Sequence, residues 1–240
     1  MLTASQVRRV VVLGTGTEVG KTFVTTALAG ALNASGHPVA AVKPVETGHV
    51  LANDDPPSGS DAERLELAAT PVVVRPHPLH VFREPISPHL AARRAGVPIN
   101  VSDVLRWVAQ AESGLQDTAI HYTTQAYLLI ETAGGALSPL GEATSNLDLA
   151  LALEPALWLL VAPDNLGVLH DLRATLAALR ALARSPDFIV LSAARPPDHS
   201  TGTNGPELVR LGIATPAAVL GRDDPEPARS LADAIRARVA

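Results

Sequence analysis

The sequence contains no cysteine. That absence excludes disulfides, thiolate metal sites and cysteine nucleophiles together. With them goes any amidotransferase chemistry that releases ammonia from glutamine on a catalytic cysteine. A basic surplus is missing too: the formal net charge is −5. This argues against nonspecific nucleic-acid binding, which needs a basic surface to displace counterions. No apolar run reaches the roughly 18–20 residues that cross a bilayer. The run "VVVL" after Arg8 and Arg9 is too short for a secretory signal, so a cytoplasmic protein without membrane contact is expected. Internal repeats and low-complexity tracts are absent. What is present is a chain of 240 residues, 47% apolar and 18% charged. That balance suits one folded α/β domain spanning 1–240, with a well-buried core.

Short β-branched runs alternate with longer helical patterns. Strands are expected at 10–13, 38–45, 126–131, 156–162, 187–193 and 217–221. The first is followed by a helix whose Phe23, Ala27, Leu28, Ala31 and Leu32 form an apolar stripe, with Gly36 as its stop. A serine cap opens a second helix at "SDAERLELAA", after the turn-rich "LANDDPPSG". Further helices are expected after "DN" at 164–165 and at the C-terminal end from Pro225. Continuous apolar strands separated by helices imply a mostly parallel sheet covered by helices on both faces.

Three stretches fall at the carboxyl ends of strands, where open parallel sheets bind ligands. "GTGTEVGKT" (14–22) follows the first strand and opens a helix. Its glycines let backbone N–H groups close on phosphate, Lys21 would reach the terminal phosphates, and the Thr22 hydroxyl would hold Mg²⁺. The spacing is unusual, because counting back from Gly20 puts the first glycine's place on Thr15 and leaves Gly14 one residue early. "AVKPVETG" (41–48) puts Lys43 at a strand end; alone it reads as a surface lysine, and beside the phosphate loop it reads as a group that stabilises developing charge. "LLIETAGG" (128–135) ends an apolar strand with Glu131, the placement of a Mg²⁺ ligand in nucleotide-binding folds. Asp61, at a helix start, is either a second metal carboxylate or an acid favoured by the helix dipole.

Together these residues resemble dethiobiotin synthetase, a biotin-pathway family of the P-loop α/β fold. "GTGTEVGKT" is similar to its GTxTEVGKT loop, extra residue included. "KPVETG" matches KPV-x-[ST]-G, "FREPISPHLAARRAG" (82–96) matches F-x-x-P-x-[SA]-P-H-x-A, and "ETAGG" stands for E-G-A-G-G. The resemblance implies ATP- and Mg²⁺-dependent closure of a ureido ring on 7,8-diaminopelargonate with CO₂ or bicarbonate. The steps would pass through a carbamate and a carbamic-phosphoric anhydride. It implies that Lys43, Lys21 and Thr17 are catalytic, and that Thr22, Asp61 and Glu131 hold the metal. Nucleotide contacts would come from Glu18, Val19, Gly20, Lys21, Thr22, Phe23, Asp61, Glu131, Thr132, Ala133 and Gly134. Thr17, Lys43, Thr47 and Ser87 would meet the substrate. It also implies a homodimer in which Gly167 and Val168 offer backbone N–H groups to the substrate carboxylate of the neighbouring subunit.

Thr132 stands where the family has glycine, Gly16 where many members have aspartate, and Leu169 where asparagine is usual. The base-reading positions depart further, at "LSAAR" (191–195) and "GRDDP" (221–225), so a phosphate-driven site that accepts ATP or another triphosphate is expected. His77, His80 and His89 cluster in sequence, but prolines between them leave no metal-binding face; His89 follows the family's P-H and would shape the substrate loop. Two alternatives remain open. One is a switch ATPase of the partitioning or septum-positioning type, which would carry lysine where this chain has Gly16. The other is a noncatalytic regulatory relative.

Overall fold

The computed structural model describes residues 7–48, 59–70, 77–119, 124–193 and 196–238. All six expected strands are present and form one sheet. They are β1 (Val7–Gly14), β2 (Val39–Val42), β5 (Ala126–Glu131), β6 (Leu157–Asp164), β7 (Phe188–Ala193) and β8 (Ala218–Leu220). The order across the sheet is β2-β5-β1-β6-β7-β8, and every neighbouring pair is parallel. β1 therefore lies between β5 and β6, and the chain reverses its winding direction there. That switch point puts the ends of β1, β2 and β5 side by side.

Both faces are covered. Val10 and Val12 of β1 join one apolar cluster with Val24, Leu28 and Leu32 of α1 (Lys21–Ala34) and Leu231 and Ile235 of α8 (Glu226–Ala237). Val11 and Leu13 point the other way, into a cluster with Trp107, Val108 and Leu115 of α4 (Val101–Ala119) and Leu172 and Leu176 of α6 (Val168–Leu182). The strict alternation along one strand is the pleat of a sheet buried on both sides. In α1 the stripe is centred on Val24, Leu28 and Leu32, with Phe23 and Ala27 at its partly buried margin. Gly36, at φ 81°, donates to Asn33 O and ends that helix.

The expected strand at 38–45 divides in two. β2 stops at Val42, and after Lys43 and Pro44 the chain starts β3 (Val45–Thr47), which pairs in parallel with β4 (His80–Phe82) in a separate two-stranded sheet. The pairing of β2, an edge strand, with β5 ends at Val42, and Pro44, which has no N–H to extend a ladder, lies at the exit from the main sheet. The serine-capped helix is α2 (Asp61–Ala68), where the Ser60 side chain accepts from Glu63 N. Four further helices carried no expectation from the sequence: α3 (Pro88–Ala95), α4, α5 (Asn146–Ala152) and α7 (Asn204–Arg210).

The segment after β5 is pinned from outside the glycine motif. Asn146, fully buried in the first turn of α5, donates from Nδ2 to Ala133 O at 2.6 Å and Gly135 O at 2.9 Å. Replacing it takes the side-chain donor from the buried Ala133 carbonyl, while Gly135 O keeps the Ser138 N–H at 3.0 Å. Asn146→Ala is expected to cost about 1–3 kcal/mol of stability, measurable as a lower midpoint in urea unfolding.

Candidate active site

The loop Thr15–Gly20 leaves the end of β1 and turns directly into α1. Gly20 adopts φ 90°, and a Cβ there would lie 2.0 Å from Ser192 Oγ. No other residue fits that position. Glu18 takes φ 58° without being glycine, a conformation that costs free energy and gathers at functional loops. The early glycine also has a steric reason: a Cβ on Gly14 would meet Val19 Cγ2 at 2.9 Å and Lys21 Cδ at 3.2 Å. Lys21 folds back along its own loop beside Gly14, and its Nζ donates to Gly16 O at 3.2 Å. Gly135 supports the loop from behind, since a Cβ there would approach Gly16 Cα to 3.2 Å.

Beside this loop lies a compact ionic network. Lys43, just past β2, donates to Asp61 Oδ2 at the start of α2 and lies 3.0 Å from Glu131 Oε1 at the end of β5. The Thr22 hydroxyl donates to that same Glu131 oxygen at 2.8 Å. Burial works to push the Lys43 ammonium down, but Glu131 and Asp61 outweigh it and hold the group above the ordinary lysine value. Burial likewise opposes charge on Asp61, and Lys43, the Thr22 hydroxyl and Arg64 together keep its carboxyl below the usual range. Lys21 shows the opposite balance. Burial lowers its pKa to about 8, opposed by Glu131 and reinforced by Lys43.

These groups open into a cleft of about 800 Å³. Thr17, Glu18, Gly20, Phe23, Ala133 and Gly134 line it with the ionic network, and Thr47 and Ser87 form part of its wall. Two expected nucleotide contacts do not line it. Val19 is buried, 6% exposed, in the apolar cluster under α1. Thr132 turns away from the cleft: its hydroxyl donates to Val12 O at 2.9 Å inside the sheet, the same carbonyl that accepts from its backbone N–H at 3.1 Å. Gly167 and Val168 lie at the start of α6, outside this cleft, next to the 83% exposed Leu166.

The sequence reading missed several lining residues. Arg64 lies one turn beyond Asp61 on the same helix, a position that helical spacing could have flagged. Arg222, from "GRDDP", places its guanidinium 4.4 Å above the Phe23 ring; only the fold joins them. Ala194 and Arg195 of "LSAAR" fall outside the described residues. Among the described residues no cluster of three or more His, Asp or Glu side chains is arranged to hold a metal. The His77 carbonyl accepts from the Trp107 indole, and the His80 ring stacks on Phe82. His89 Nδ1 pairs with Ser87 Oγ at 3.1 Å, beside the cleft.

Two carboxylates and a hydroxyl nevertheless meet at one place, and all are hard oxygen donors of the kind Mg²⁺ selects. Glu131 Oε2 is buried without a hydrogen-bond partner among the described residues, which leaves a lone pair for a cation. Four cationic and three anionic side chains line the cleft. That lining leaves most of a triphosphate's charge unbalanced, the physical requirement for a divalent cation.

A family model described as an AAA domain matches residues 8–223. Among solved structures, the chain resembles one in the MinC:MinD cell division protein complex of Aquifex aeolicus, with a TM-score of 0.52 and 12% identity over 97% of each chain. At that identity the likeness shows the fold alone, a mostly parallel α/β sheet. The ATP-dependent dethiobiotin synthetase BioD of Methylobacterium nodulans is 35% identical over 87% of this chain and 88% of its own length. That of Anaeromyxobacter dehalogenans strain 2CP-1 is 34% identical over 97% and 99%. With similarity of this extent along nearly the whole of both sequences, the chain belongs to the dethiobiotin synthetase family.

Proposed function

We propose that the protein closes the ureido ring of dethiobiotin from 7,8-diaminopelargonate and CO₂ at the expense of ATP or another nucleoside triphosphate. The observation that carries this reading is the convergence of Lys21, Lys43, Thr22, Asp61 and Glu131 in one cleft, with the hydroxyls of Thr17, Thr47 and Ser87 around it. One substrate amine would capture CO₂ and lose a proton to become a carbamate, whose oxygen attacks the γ-phosphorus, expels the nucleoside diphosphate and forms a carbamic-phosphoric anhydride. The second amine then attacks the carbamoyl carbon, loses a proton, and expels inorganic phosphate as the ring closes.

Both reacting groups are anions and repel each other. Lys21 and Lys43 supply the fixed positive charge that holds them in line. Thr22, Asp61 and Glu131 would hold Mg²⁺, which when bound neutralises phosphate charge and orients the leaving diphosphate. Thr17 and Thr47 hydrogen-bond the diamine or carbamate, Ser87 borders the substrate, and Glu18, Gly20, Phe23, Ala133 and Gly134 surround the nucleotide. Val19 and Thr132 contribute through backbone alone. A homodimer would bring Gly167 and Val168 of one subunit to the substrate carboxylate of the other, and exposed Leu166 suits such a contact. No helix of the described residues is long and apolar enough to cross a membrane.

The direct test incubates the protein with diaminopelargonate, bicarbonate, Mg²⁺ and each nucleoside triphosphate in turn. Dethiobiotin and phosphate are expected in equal amounts, from more than one triphosphate. Absence of product with every triphosphate would overturn the proposal. Lys43→Ala is expected to lower kcat by about 100- to 1,000-fold while Mg²⁺–nucleotide binding persists in calorimetry. Retention of full activity would remove Lys43 from the mechanism.

The lowered proton affinity of Lys21 gives a pH prediction. Below about 8 the side chain is already charged, so Lys21 is expected to add no pH dependence to nucleotide affinity there. Above that value the free site has lost the proton, which phosphate binding must restore. Kd for the triphosphate is therefore expected to rise by up to about tenfold per pH unit, with proton uptake visible in buffers of different ionisation enthalpy. Lys21→Met should flatten that slope; an unchanged slope in the variant would assign it to another group.

A further inference from the structure

The family pattern KPV-x-[ST]-G leaves one position open, and in this chain it is Glu46. The residue is 1% exposed, and burying a carboxylate is costly unless its oxygens are engaged. Its Oε1 accepts a hydrogen bond from the backbone N–H of Asp61 at 2.7 Å. Asp61 is the first residue of α2, so this N–H is one of the donors a helix start leaves without an internal partner. The local cap does not reach it, because the Ser60 side chain accepts from Glu63 N instead. Glu46 is thus a second cap, delivered from a strand 15 residues earlier, with a charge that suits the positive end of the helix.

Its place on β3 gives this contact a consequence. Successive strand residues point to opposite faces, and the neighbouring Thr47 lines the cleft while Glu46 reaches back to α2. α2 also rests on α1 and β2, with Leu65 in the apolar cluster under α1, and Lys43 holds its Asp61 side chain. Glu46 is therefore a backbone tie between the wall that carries Thr47 and the helix that carries Asp61. We propose that Glu46 is a positioning residue, which sets the Asp61 carboxylate over Lys43 and toward the metal by holding the first N–H of α2. The inference rests on the reading of Asp61 as a metal ligand.

The test measures Mn²⁺ binding by electron paramagnetic resonance in the presence of a non-hydrolysable ATP analogue. It compares the parent protein with Glu46→Ala, Glu46→Gln, Asp61→Ala and the double variant Glu46→Ala with Asp61→Ala. Loss of an outer-shell partner of this kind typically weakens metal binding about 10- to 100-fold, and Glu46→Ala is expected at the lower end. Glu46→Gln keeps an acceptor oxygen and should restore binding close to the parent value. The double variant should bind no more weakly than Asp61→Ala, because both changes act through one carboxylate.

Unchanged Mn²⁺ affinity in Glu46→Ala, even with a lower thermal midpoint, would overturn the proposal and leave Glu46 a structural cap. Failure of glutamine to rescue, or additive losses in the double variant, would overturn it as well. Unchanged affinity in Asp61→Ala would instead remove the metal role of Asp61 itself, and that outcome is distinguishable because it appears in a variant that keeps Glu46.

Discussion

Lys43 is shared by Glu131 and Asp61, and the site is arranged around that one ammonium. A carboxylate with no solvent exposure, as Glu131 is, is costly to bury in a sheet without a nearby cation. The same holds in reverse for Lys43, 8% exposed. Each ion therefore makes the other tolerable, and together they join the end of β2 to the end of β5. Thr22 ties in the first turn of α1, and Asp61 ties in α2. Four elements far apart in the chain are held in register by a few polar contacts. Lys21, by contrast, donates to a loop carbonyl among the described residues, and burial makes its proton easier to lose.

The loop that carries Lys21 is governed by lack of space. Gly20 meets Ser192, Gly14 meets Lys21, and Gly135 meets the backbone of Gly16. These close approaches come from three different strand ends, so the loop is shaped by its neighbours as much as by its own sequence. Asn146 adds a fourth constraint by holding Ala133 and Gly135 from a helix that does not itself line the cleft. Thr132, which breaks the family's glycine pattern, is accommodated because its hydroxyl finds the Val12 carbonyl.

The main sheet was legible because its strands are buried on both sides and read as unbroken apolar runs. α4 was legible too, and was passed over: Val104, Trp107, Val108, Ala111 and Leu115 are buried at helical spacing. The split of 38–45 into β2 and β3 was not, because Val45, Glu46 and Thr47 continue a strand-like pattern and only the partner strand decides which sheet they join. α5 and α7 have seven residues each, too few for periodicity to declare itself. In the site, Lys21, Thr22, Lys43 and Glu131 stood out because each follows a strand or glycine signal. Arg222, Asn146 and Glu46 carried no such mark.

The sequence by itself determined the phosphate loop, the α/β alternation and the family, since these depend on local order: strand, glycines, lysine, helix. Tertiary structure alone decided why Gly14 must be glycine, which way Thr132 points, and that Lys43 bridges two carboxylates. Those facts depend on distances between residues up to 120 positions apart, set by the order of strands in the sheet. The odd spacing of the first loop belongs to both. It was visible as a pattern, but its physical reason is that the Val19 side chain and the Gly16 carbonyl, with the Lys21 stem beside them, crowd the place where a side chain at position 14 would lie.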